Sequence, residues 1–261
     1  MRWNQRLRTA ISTGMENSYL NNTFERIDAH WLDTHPDVKV IGSPTTGLDH
    51  IDLVLCQERG VKVVSLQGEL SFLRSITSTA EHTWGLIIAL SRCYRSAFDG
   101  VRRQGNRLSG KTLGIIGSRG RIGTQVAKYA KAFGMKIKKA DKGDKLVGLL
   151  RESDVVTAHI PLQGNEGFWK LAHFKQMKPS AVFINTSRTR IVEDGALLSA
   201  LRDGLIAGAA MDFTDDPELV QYAKTHDNLI LTPHIGGNTV EDRAATDLFI
   251  QEKMQKALYG I

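Results

Sequence analysis

Three polar residues follow three apolar runs, and their side-chain types suit one reaction. Arg188 follows AVFINTS, Asp216 follows GAAMDFTD and His234 follows NLILTP. Parallel strands joined by helices bring their C-terminal ends to one edge of a sheet, where ligands bind, so we expect these side chains to lie close together. A guanidinium can bind a carboxylate, and an imidazole can transfer a proton. The sequence therefore predicts a proton-transfer site for a carboxylate-bearing substrate.

A glycine-rich segment upstream predicts a dinucleotide site. The strand pattern Thr112–Ile116 leads into Gly117-Ser118-Arg119-Gly120-Arg121-Ile122-Gly123 and then into a helical pattern. Gly117, Gly120 and Gly123 permit a tight turn and let backbone N–H groups approach a pyrophosphate at the helix N-terminus. The spacing GxxGxxG holds one residue more than GxGxxG, so the turn is expected to be enlarged at Ser118 or Arg119. A structural turn without a ligand is the alternative.

An acid follows the glycine segment at a suitable distance. Asp141 lies 18 residues after Gly123, at the end of the next predicted strand. A carboxylate there accepts hydrogen bonds from ribose hydroxyls and disfavours a 2′-phosphate, which favours NAD over NADP. Because Lys138, Lys139 and Lys142 flank this acid, NADP remains open.

Short β-branched runs alternate with helical patterns, which predicts an α/β fold with a parallel sheet. The predicted strands are Val38–Ile41, Val61–Ser65, Thr112–Ile116, Lys136–Lys139, Val155–His159, Val182–Asn185, Ala209–Asp212 and Leu229–Leu231. One long helix from Ser71 to Arg103 is expected to separate the first two strands from the rest, and Val240–Leu258 is the last predicted helix. The predicted domains are a substrate domain, residues 1–76 and 239–261, and a dinucleotide-binding domain, residues 77–238.

The first 35 residues show no convincing strand pattern. The smaller domain is therefore expected to contain only two strands, with an exposed edge. A helix over Asn17–Leu32, or another subunit, would have to cover that edge.

The composition excludes several classes of protein. The chain of 261 residues is 41% hydrophobic and 24% charged, as in an ordinary soluble globular protein. Its apolar run Leu86–Leu90 is far too short to span a bilayer, so no membrane association is expected. Cys56 and Cys93 are the two cysteines, which supports neither a disulfide framework nor a metal site and favours the cytoplasm.

Positive charge is concentrated around the glycine segment. Between Arg102 and Lys145 there are thirteen lysines and arginines against two aspartates, in a chain of net charge +6. This segment can attract an anionic cofactor, although its lysines are equally compatible with a solvated outer surface. Nucleic-acid binding is the other reading, and it is disfavoured because only Tyr129 and Phe133 are available there for base stacking.

Seven segments together resemble a known family. They are GSPTTGLDHID (42–52), STAEHTWGLIIALSR (78–92), GKTLGIIG…GRIG (110–123), ESDVVTAHIPL (152–162), FINTSR (183–188), LRDGLIAGAAMD (201–212) and TPHIGG (232–237). On these motifs the chain resembles NAD-dependent D-2-hydroxyacid dehydrogenases, and within them the D-3-phosphoglycerate dehydrogenase branch. The resemblance runs from about Lys39 to the C-terminus and lacks most of the strand-rich segment that family members carry before it. It implies a Rossmann-type doubly wound parallel sheet with a smaller, abbreviated flavodoxin-like substrate domain.

The resemblance also implies residue roles. Arg188 corresponds to the family's catalytic arginine, His234 to its catalytic histidine and Asp216 to the acid that orients this histidine. Other implied positions are the nicotinamide-carboxamide acid Asp212, the pyrophosphate turn at Arg121 and Ile122, further cofactor contacts at Pro161, Thr186 and Gly236, and a substrate-carboxylate loop whose backbone amides belong to Thr46 and Gly47. Glu81 and His82 are interpreted as part of a helix beginning or kink and are not included in the site.

The expected function is hydride transfer between NAD(H) and a small D-2-hydroxy acid or 2-keto acid by a cytoplasmic homodimer. The alternative is a catalytically weak NAD-binding scaffold or regulatory protein derived from this family. The missing N-terminal segment, and Asp216 at a position where the family usually has Glu, favour the alternative. The presence of both Arg188 and His234 favours the enzyme.

Overall fold

The computed structural model describes residues 15–21 and 25–260. Parallel strands alternate with helices through most of this length, which confirms the predicted α/β class. The strands are β1 (Ser18–Leu20), β2 (Val40–Ser43), β3 (Lys62–Ser65), β4 (Thr112–Ile116), β5 (Lys136–Ala140), β6 (Val155–Ala158), β7 (Val182–Asn185), β8 (Gly208–Met211) and β9 (Leu229–Leu231). The helices are α1 (Ala29–Thr34), α2 (Leu53–Glu58), α3 (Leu70–Leu73), α4 (Ser78–Ser91), α5 (Tyr94–Phe98), α6 (Arg121–Ala132), α7 (Val147–Glu152), α8 (Leu171–Phe174), α9 (Ala196–Arg202), α10 (Pro217–Thr225) and α11 (Val240–Tyr259).

The chain divides into two compact units, Met1–Ile76 with Thr239–Ile261, and Thr77–Asn238. The larger unit, Thr77–Asn238, contains a six-stranded parallel sheet in the order β5-β4-β6-β7-β8-β9. The strand order therefore reverses between β4 and β6. In doubly wound sheets of this kind, ligands bind outside the carboxyl ends of the strands at such a reversal.

Helices cover both faces of the larger sheet. On one face α4 and α6 supply buried side chains such as Ile87 and Val126, and on the other α7 and α9 supply Leu150 and Leu197. Because both faces are covered, successive residues of the central strands are apolar, as the fully buried strand β4 shows from Leu113 to Ile116. The two core layers hold the C-terminal edge of the sheet in place.

The smaller unit has a parallel sheet in the order β1-β2-β3. Helix α11 packs against β2 so closely that a Cβ atom on Gly42 would lie 2.2 Å from Met254 Sδ and 2.6 Å from Ile250 Cγ2. Glycine at position 42 thus allows this helix to approach the strand. The opposite face is covered by α1 and α2, with Trp31 and Cys56 buried.

The expectation of only two strands in this unit was wrong. Residues Ser18–Leu20 form a third strand that pairs in register with Val40–Gly42. The proposed helix over Asn17–Leu32 was wrong for the same reason, although residues 22–24 of that stretch lie outside the described part. The helix begins only at Ala29, where the Asp28 carboxylate caps it by accepting the N–H of Trp31.

The single long helix predicted from Ser71 to Arg103 is also wrong. That stretch contains three helices, α3, α4 and α5. Between the second and third, Cys93 takes a left-handed backbone conformation with φ 54°. Helical spacing of apolar residues continues across such a break, so the pattern does not reveal it. The eight strands predicted from the sequence are all present, each displaced by no more than two residues at its ends.

Candidate active site and dinucleotide-binding edge

One row of cross-strand partners defines the C-terminal edge of the larger sheet. Ala140, Ile116, Ala158, Asn185, Met211 and Leu231 are successive partners along the six strands. The next residue of each strand leaves the sheet at the same level. These next residues are Asp141, Gly117, His159, Thr186, Asp212 and Thr232. Four of the residues predicted for the cofactor, Asp141, Gly117, Thr186 and Asp212, therefore leave the sheet along one line.

The glycine loop lies against the adjacent strand end at the point where the strand order reverses. A Cβ atom on Gly117, whose φ is 81°, would lie 2.3 Å from the carbonyl oxygen of His159. A Cβ atom on Gly123 would lie 2.3 Å from the carbonyl oxygen of Gly117. Gly120 is the N-cap of α6, so the first turn of this helix begins without a capping side chain. The loop and the helix N-terminus fit the pyrophosphate of a dinucleotide, which accepts hydrogen bonds from such backbone N–H groups.

Arg121 and Ile122 form the first turn of α6. Their backbone N–H groups belong to the end of the helix that attracts anions. Their part in a pyrophosphate-binding turn stays a prediction.

Asp141 is hydrogen-bonded to the enlarged part of the glycine loop. Ser118 Oγ donates to Asp141 Oδ2 at 2.7 Å, and the N–H of Arg119 donates to Oδ1 at 3.1 Å. Burial acts to raise the pKa of Asp141, but the hydrogen bonds from Ser118 and Arg119 outweigh it and hold the pKa below the usual value. The carboxylate is thus charged and oriented, with lone pairs left for the two hydroxyls of a ribose.

His159 and Pro161 follow β6 beside this loop. Burial lowers the pKa of His159 to about 3, so its imidazole is neutral at physiological pH. Its Nε2 atom lies 3.0 Å from Thr157 Oγ1. The carbonyl oxygen of Pro161 accepts a hydrogen bond of 2.9 Å from the Asn165 side chain, which fixes the backbone of this turn.

The segment after β7 that carries Arg188 is held by a buried amide. The Asn185 side chain donates to the carbonyl oxygen of Arg188 at 2.8 Å and accepts from the N–H of Ser187 at 3.0 Å. Asn185 is 3% exposed and lies in the last row of the sheet. Arg188 Nη1 also donates to the carbonyl oxygen of Ser187 at 3.0 Å. The backbone that presents the guanidinium is therefore fixed on both sides of the turn.

Thr186 is hydrogen-bonded to helix α4. The hydroxyl of Thr83, which is fully buried, donates to the carbonyl oxygen of Thr79 at 2.7 Å. The 2.8 Å contact between Thr83 Oγ1 and Thr186 Oγ1 must then be donated by Thr186. As a result the hydroxyl of Thr186 can accept a hydrogen bond from a ligand but cannot donate one to it.

Asp212 holds the backbone of the TPHIGG segment. Its Oδ1 atom accepts from Thr232 Oγ1 at 2.7 Å and from the N–H of Ile235 at 2.9 Å, and its Oδ2 atom accepts from the N–H of Gly236 at 2.7 Å. Burial acts to raise the pKa of Asp212. A contact from His82 Nε2, 3.2 Å from Oδ1, and the hydrogen bonds from Thr232 and Ile235 outweigh burial and hold the pKa below the usual value. Asp212 is therefore a charged, buried anchor for the segment that contains His234.

His234 has a strained backbone conformation. Its φ is 56°, in the left-handed region that residues other than glycine rarely adopt. The two N–H groups that follow it are those bound by Asp212, so the carboxylate stabilises this conformation. The imidazole ring lies 5.8 Å from the ring of Phe213, measured between centroids. Strain of this kind is common at functional sites.

Asp216 is the N-cap of α10. Its Oδ1 atom accepts from the N–H groups of Glu218 at 2.8 Å and Leu219 at 3.3 Å. This contact is a helix cap, a role that the sequence interpretation did not assign to it. The orientation of His234 by Asp216 stays a prediction.

Thr46 and Gly47 belong to the smaller unit, in the loop after β2. Thr45 Oγ1 donates to the carbonyl oxygen of Gly47 at 2.8 Å and lies 2.9 Å from Ser43 Oγ. These contacts fix the loop whose backbone amides are predicted to bind a substrate carboxylate.

Sequence reasoning left out three residues that support the site: His82, Asn185 and Ser118. His82 lies in the second turn of α4, and its Nε2 atom is 3.2 Å from Asp212 Oδ1. The sequence offered one signal for a role of His82, because His82 lies in STAEHTW, which matches the family as the TPHIGG segment does. Glu81, also left out, accepts a 2.6 Å hydrogen bond from Thr77 Oγ1 and belongs to the beginning of α4, as expected.

No group of three or more His, Cys, Asp or Glu side chains in residues 15–21 and 25–260 is arranged to hold a metal ion. In the same part of the chain, none of the helices combines the length and the apolar character needed to cross a bilayer.

Known proteins match this chain over most of its length. The family model for the D-isomer specific 2-hydroxyacid dehydrogenase NAD binding domain matches residues 82–236. A glyoxylate reductase of Thermococcus litoralis is 34% identical over 84% of this chain and 73% of its own length. A D-3-phosphoglycerate dehydrogenase of Methanocaldococcus jannaschii is 36% identical over 85% of this chain and 46% of its own length.

Among solved structures, the D-lactate dehydrogenase of Aquifex aeolicus in complex with NAD and lactic acid has a TM-score of 0.74 and 26% identity. The match covers 93% of this chain and 82% of that chain. The family match, the strand order and the glycine loop agree with one another. The chain belongs to the D-isomer specific 2-hydroxyacid dehydrogenase family and is an oxidoreductase that transfers hydride between NAD(H) and 2-hydroxy or 2-keto acids.

Proposed function

We propose that the chain reduces small 2-keto acids to D-2-hydroxy acids with NADH, and that glyoxylate is the first substrate to test. One observation carries the residue assignment: Asn185, Met211 and Leu231 are partners in the last row of the sheet. The segments that contain Arg188, Asp212 and His234 therefore all leave the larger sheet at the same height along its C-terminal edge. The glyoxylate reductases among the relatives support the choice of substrate.

Arg188 is proposed to bind the substrate. A guanidinium can donate paired hydrogen bonds to a 2-keto acid and stabilise negative charge on the carbonyl oxygen during reduction. The backbone amides of Thr46 and Gly47 are proposed to bind the substrate carboxylate. The turn held by Asn185 supports this role, because it limits the motion of the arginine backbone.

His234 is proposed to donate the proton. NADH, when bound, would supply the hydride that the carbonyl carbon accepts. The His234 imidazolium would donate the proton to the carbonyl oxygen. Asp216 is proposed to favour the imidazolium by its negative charge. In the oxidising direction His234 accepts the proton instead.

The cofactor is proposed to bind along the row of strand ends. Gly117, Gly120 and Gly123, with Arg121 and Ile122, would hold the pyrophosphate, and Asp141 the adenosine ribose. Pro161, Thr186, Asp212 and Gly236 would line the nicotinamide side. Thr186 supports this placement because its acceptor lone pairs suit the N–H groups of a carboxamide.

Steady-state kinetics with a panel of 2-keto acids tests the proposal through the loss of NADH absorbance. We expect turnover of glyoxylate, and a fall in kcat of about 10²- to 10⁴-fold in His234→Ala. Arg188→Lys should raise KM and lower kcat, because an ammonium cannot form paired hydrogen bonds. The matched controls are His30→Ala, an exposed histidine of α1, and Arg190→Lys, an exposed arginine close to Arg188.

The outcome separates this proposal from its alternatives. Turnover that survives His234→Ala would reject the proton donor. Tight NADH binding without turnover of any 2-keto acid would favour a scaffold or regulatory protein. Reduction of 3-phosphohydroxypyruvate in preference to glyoxylate would move the substrate class toward that of the phosphoglycerate dehydrogenases.

We further propose a cytoplasmic homodimer. Three apolar side chains on and after α5 are exposed: Tyr94 by 41%, Phe98 by 85% and Val101 by 48%. Such a patch is typical of a subunit interface. Both cysteines are free thiols, which supports a reducing compartment. Sedimentation should give a dimer mass that Phe98→Glu reduces to a monomer mass; a monomeric wild type would contradict the proposal.

A further inference from the structure

His82 on α4 reaches the carboxylate and the hydroxyl that hold the TPHIGG segment. Its Nε2 atom lies 3.0 Å from Thr232 Oγ1 and 3.2 Å from Asp212 Oδ1. Its side chain is 17% exposed and that of Asp212 is 4% exposed. This contact joins a helix near the start of the larger unit to the segment that ends it.

The direction of the hydrogen bonds follows from the number of available protons. The Thr232 hydroxyl has one proton, and its shorter contact is the 2.7 Å bond to Asp212 Oδ1, against 3.4 Å to the carbonyl oxygen of Met211. Its oxygen is therefore an acceptor toward His82, and a carboxylate can only accept. It follows that Nε2 of His82 carries a proton and donates it to both partners.

With this contact, the two carboxylate oxygens of Asp212 accept different numbers of hydrogen bonds. Oδ1 accepts from Thr232, from the N–H of Ile235 and from His82. Oδ2 accepts from the N–H of Gly236. Because a carboxylate oxygen has about two lone pairs, Oδ1 is saturated and Oδ2 retains capacity for one more donor.

The packing around this carboxylate leaves little freedom for it to rotate. A Cβ atom on Gly236 would lie 2.5 Å from Asp212 Oδ2 and 3.5 Å from His82 Cδ2. The segment therefore closes onto the acid only because residue 236 is glycine. His82 contacts Oδ1 of the acid, and the N–H of Gly236 contacts Oδ2.

We propose that His82 is a positioning residue that fixes Asp212 so that its Oδ2 atom accepts the N–H of the nicotinamide carboxamide. This inference rests on the proposed function, in which Asp212 lines the nicotinamide side. Without the His82 donor, Asp212 keeps its hydrogen bonds to the TPHIGG segment but loses its contact with α4. The carboxylate and this segment can then shift together, and Oδ2 loses its fixed direction. His82 acts through Asp212 and Thr232 and does not itself touch the cofactor.

Two ligands and three variants test the inference. NADH contains the nicotinamide, whereas ADP-ribose lacks it and retains the rest of the contacts. The side chain of Gln places its amide nitrogen near the position of Nε2, and that of Asn places it near Nδ1. His82→Gln can therefore replace the donor, whereas His82→Asn and His82→Ala cannot.

Isothermal titration calorimetry on the full chain should show a selective effect. We expect His82→Ala and His82→Asn to bind NADH about tenfold more weakly than wild type, while ADP-ribose affinity changes less than about twofold. His82→Gln should bind NADH within about threefold of wild type. Thermal unfolding of each variant verifies that it is folded before titration.

Each outcome decides the inference. Equal losses for NADH and ADP-ribose, or no loss for either, overturn it, and so does a loss in His82→Gln as large as in His82→Ala. A wild type that binds NADH in this His82-dependent way but reduces no 2-keto acid supports the inference and rejects the proposed function. If the wild type reduces 2-keto acids but its NADH affinity does not depend on His82, the proposed function is supported and the inference is rejected.

Discussion

The hydroxyl of Ser118 donates a hydrogen bond of 2.7 Å to the carboxylate of Asp141, across 23 residues of chain. Ser118 belongs to the part of the glycine loop that exceeds the usual spacing. The extra length therefore brings a donor to the acid at the end of the next strand. The Arg119 side chain, 85% exposed, also has its Nε atom 3.6 Å from this carboxylate. The enlarged turn thus contributes to the orientation of the acid that is proposed to bind the ribose.

Removal of the Ser118 hydroxyl should weaken discrimination between the two nicotinamide dinucleotides. In Ser118→Ala the Asp141 carboxylate loses one neutral donor, whose contribution is about 1 kcal/mol. We expect NADH affinity to fall by about threefold to tenfold and NADPH affinity to change less. Quenching of tryptophan fluorescence during titration measures both.

One further variant and one control show whether the effect of Ser118→Ala acts through Asp141. Asp141→Ala should lower NADH affinity further and raise NADPH affinity, because the negative charge near the 2′-phosphate is removed. Ser109→Ala serves as a control, since Ser109 lies in the loop before β4, beside Gly134, whereas Asp141 follows the far end of β5. Equal changes for NADH and NADPH in Ser118→Ala would show that the serine has no part in selectivity.

The glycine at position 117 should be required for cofactor binding. A Cβ atom there would lie 2.3 Å from the carbonyl oxygen of His159, and backbone at this distance must move. Gly117→Ala should lower the free energy of unfolding by about 1–3 kcal/mol and NADH affinity by about tenfold or more. Chemical denaturation and calorimetry measure the two effects.

Gly143 provides a control that distinguishes the effect of the steric clash at Gly117 from the effect of a positive φ angle alone. Gly143 has φ 94°, but a Cβ atom on it would meet nothing within 4 Å. Gly143→Ala should therefore cost about 1 kcal/mol and leave NADH affinity unchanged. If both variants bind NADH equally well, the closeness of Gly117 to His159 does not matter for the cofactor.

The main sheet and its C-terminal edge could be predicted from the sequence because the strands are buried on both faces. Residues 113–116 and 182–184 are short, continuous apolar runs rich in β-branched residues, as expected of parallel strands covered on both faces. Once these strands are parallel, the residues after them must meet at one edge. That is why Asp141 could be placed at this edge from the strand pattern, whereas Asp212 was assigned from the family resemblance.

Elements that depend on partners elsewhere in the chain could not be predicted in this way. Ser18–Leu20 is a strand of three residues whose extended conformation comes from pairing with β2 and not from its own composition. The break at Cys93 has no glycine or proline to signal it. The contact of His82 with Asp212 joins two distant segments, so no local pattern in either segment shows it.

The charge of Asp216 can be tested separately from its helix cap. Asparagine is as good an N-cap as aspartate, so Asp216→Asn should keep the free energy of unfolding within about 0.5 kcal/mol, whereas Asp216→Ala should lose about 1 kcal/mol. If the charge favours the His234 imidazolium, kcat/KM for reduction should decline at a lower pH in Asp216→Asn than in wild type. The pH dependence of kcat/KM measures this shift. Superimposable profiles would leave Asp216 with the cap as its sole role.

His159 should make the folded protein less stable in acid. Burial lowers its pKa in the folded protein from 6.5 to about 3, so the unfolded chain binds a proton that the folded chain does not between these values. Stability from this group is present above pH 6.5 and is lost as the pH falls toward 3; at pH 5 the loss is about 2 kcal/mol.

Urea unfolding of wild type and His159→Gln at pH 7.5 and pH 5 should show a smaller decrease in the free energy of unfolding for the variant. The exposed His30→Gln should behave like wild type. If His159→Gln and wild type lose the same free energy between these two pH values, the imidazole of His159 is protonated in the folded protein as readily as in the unfolded chain.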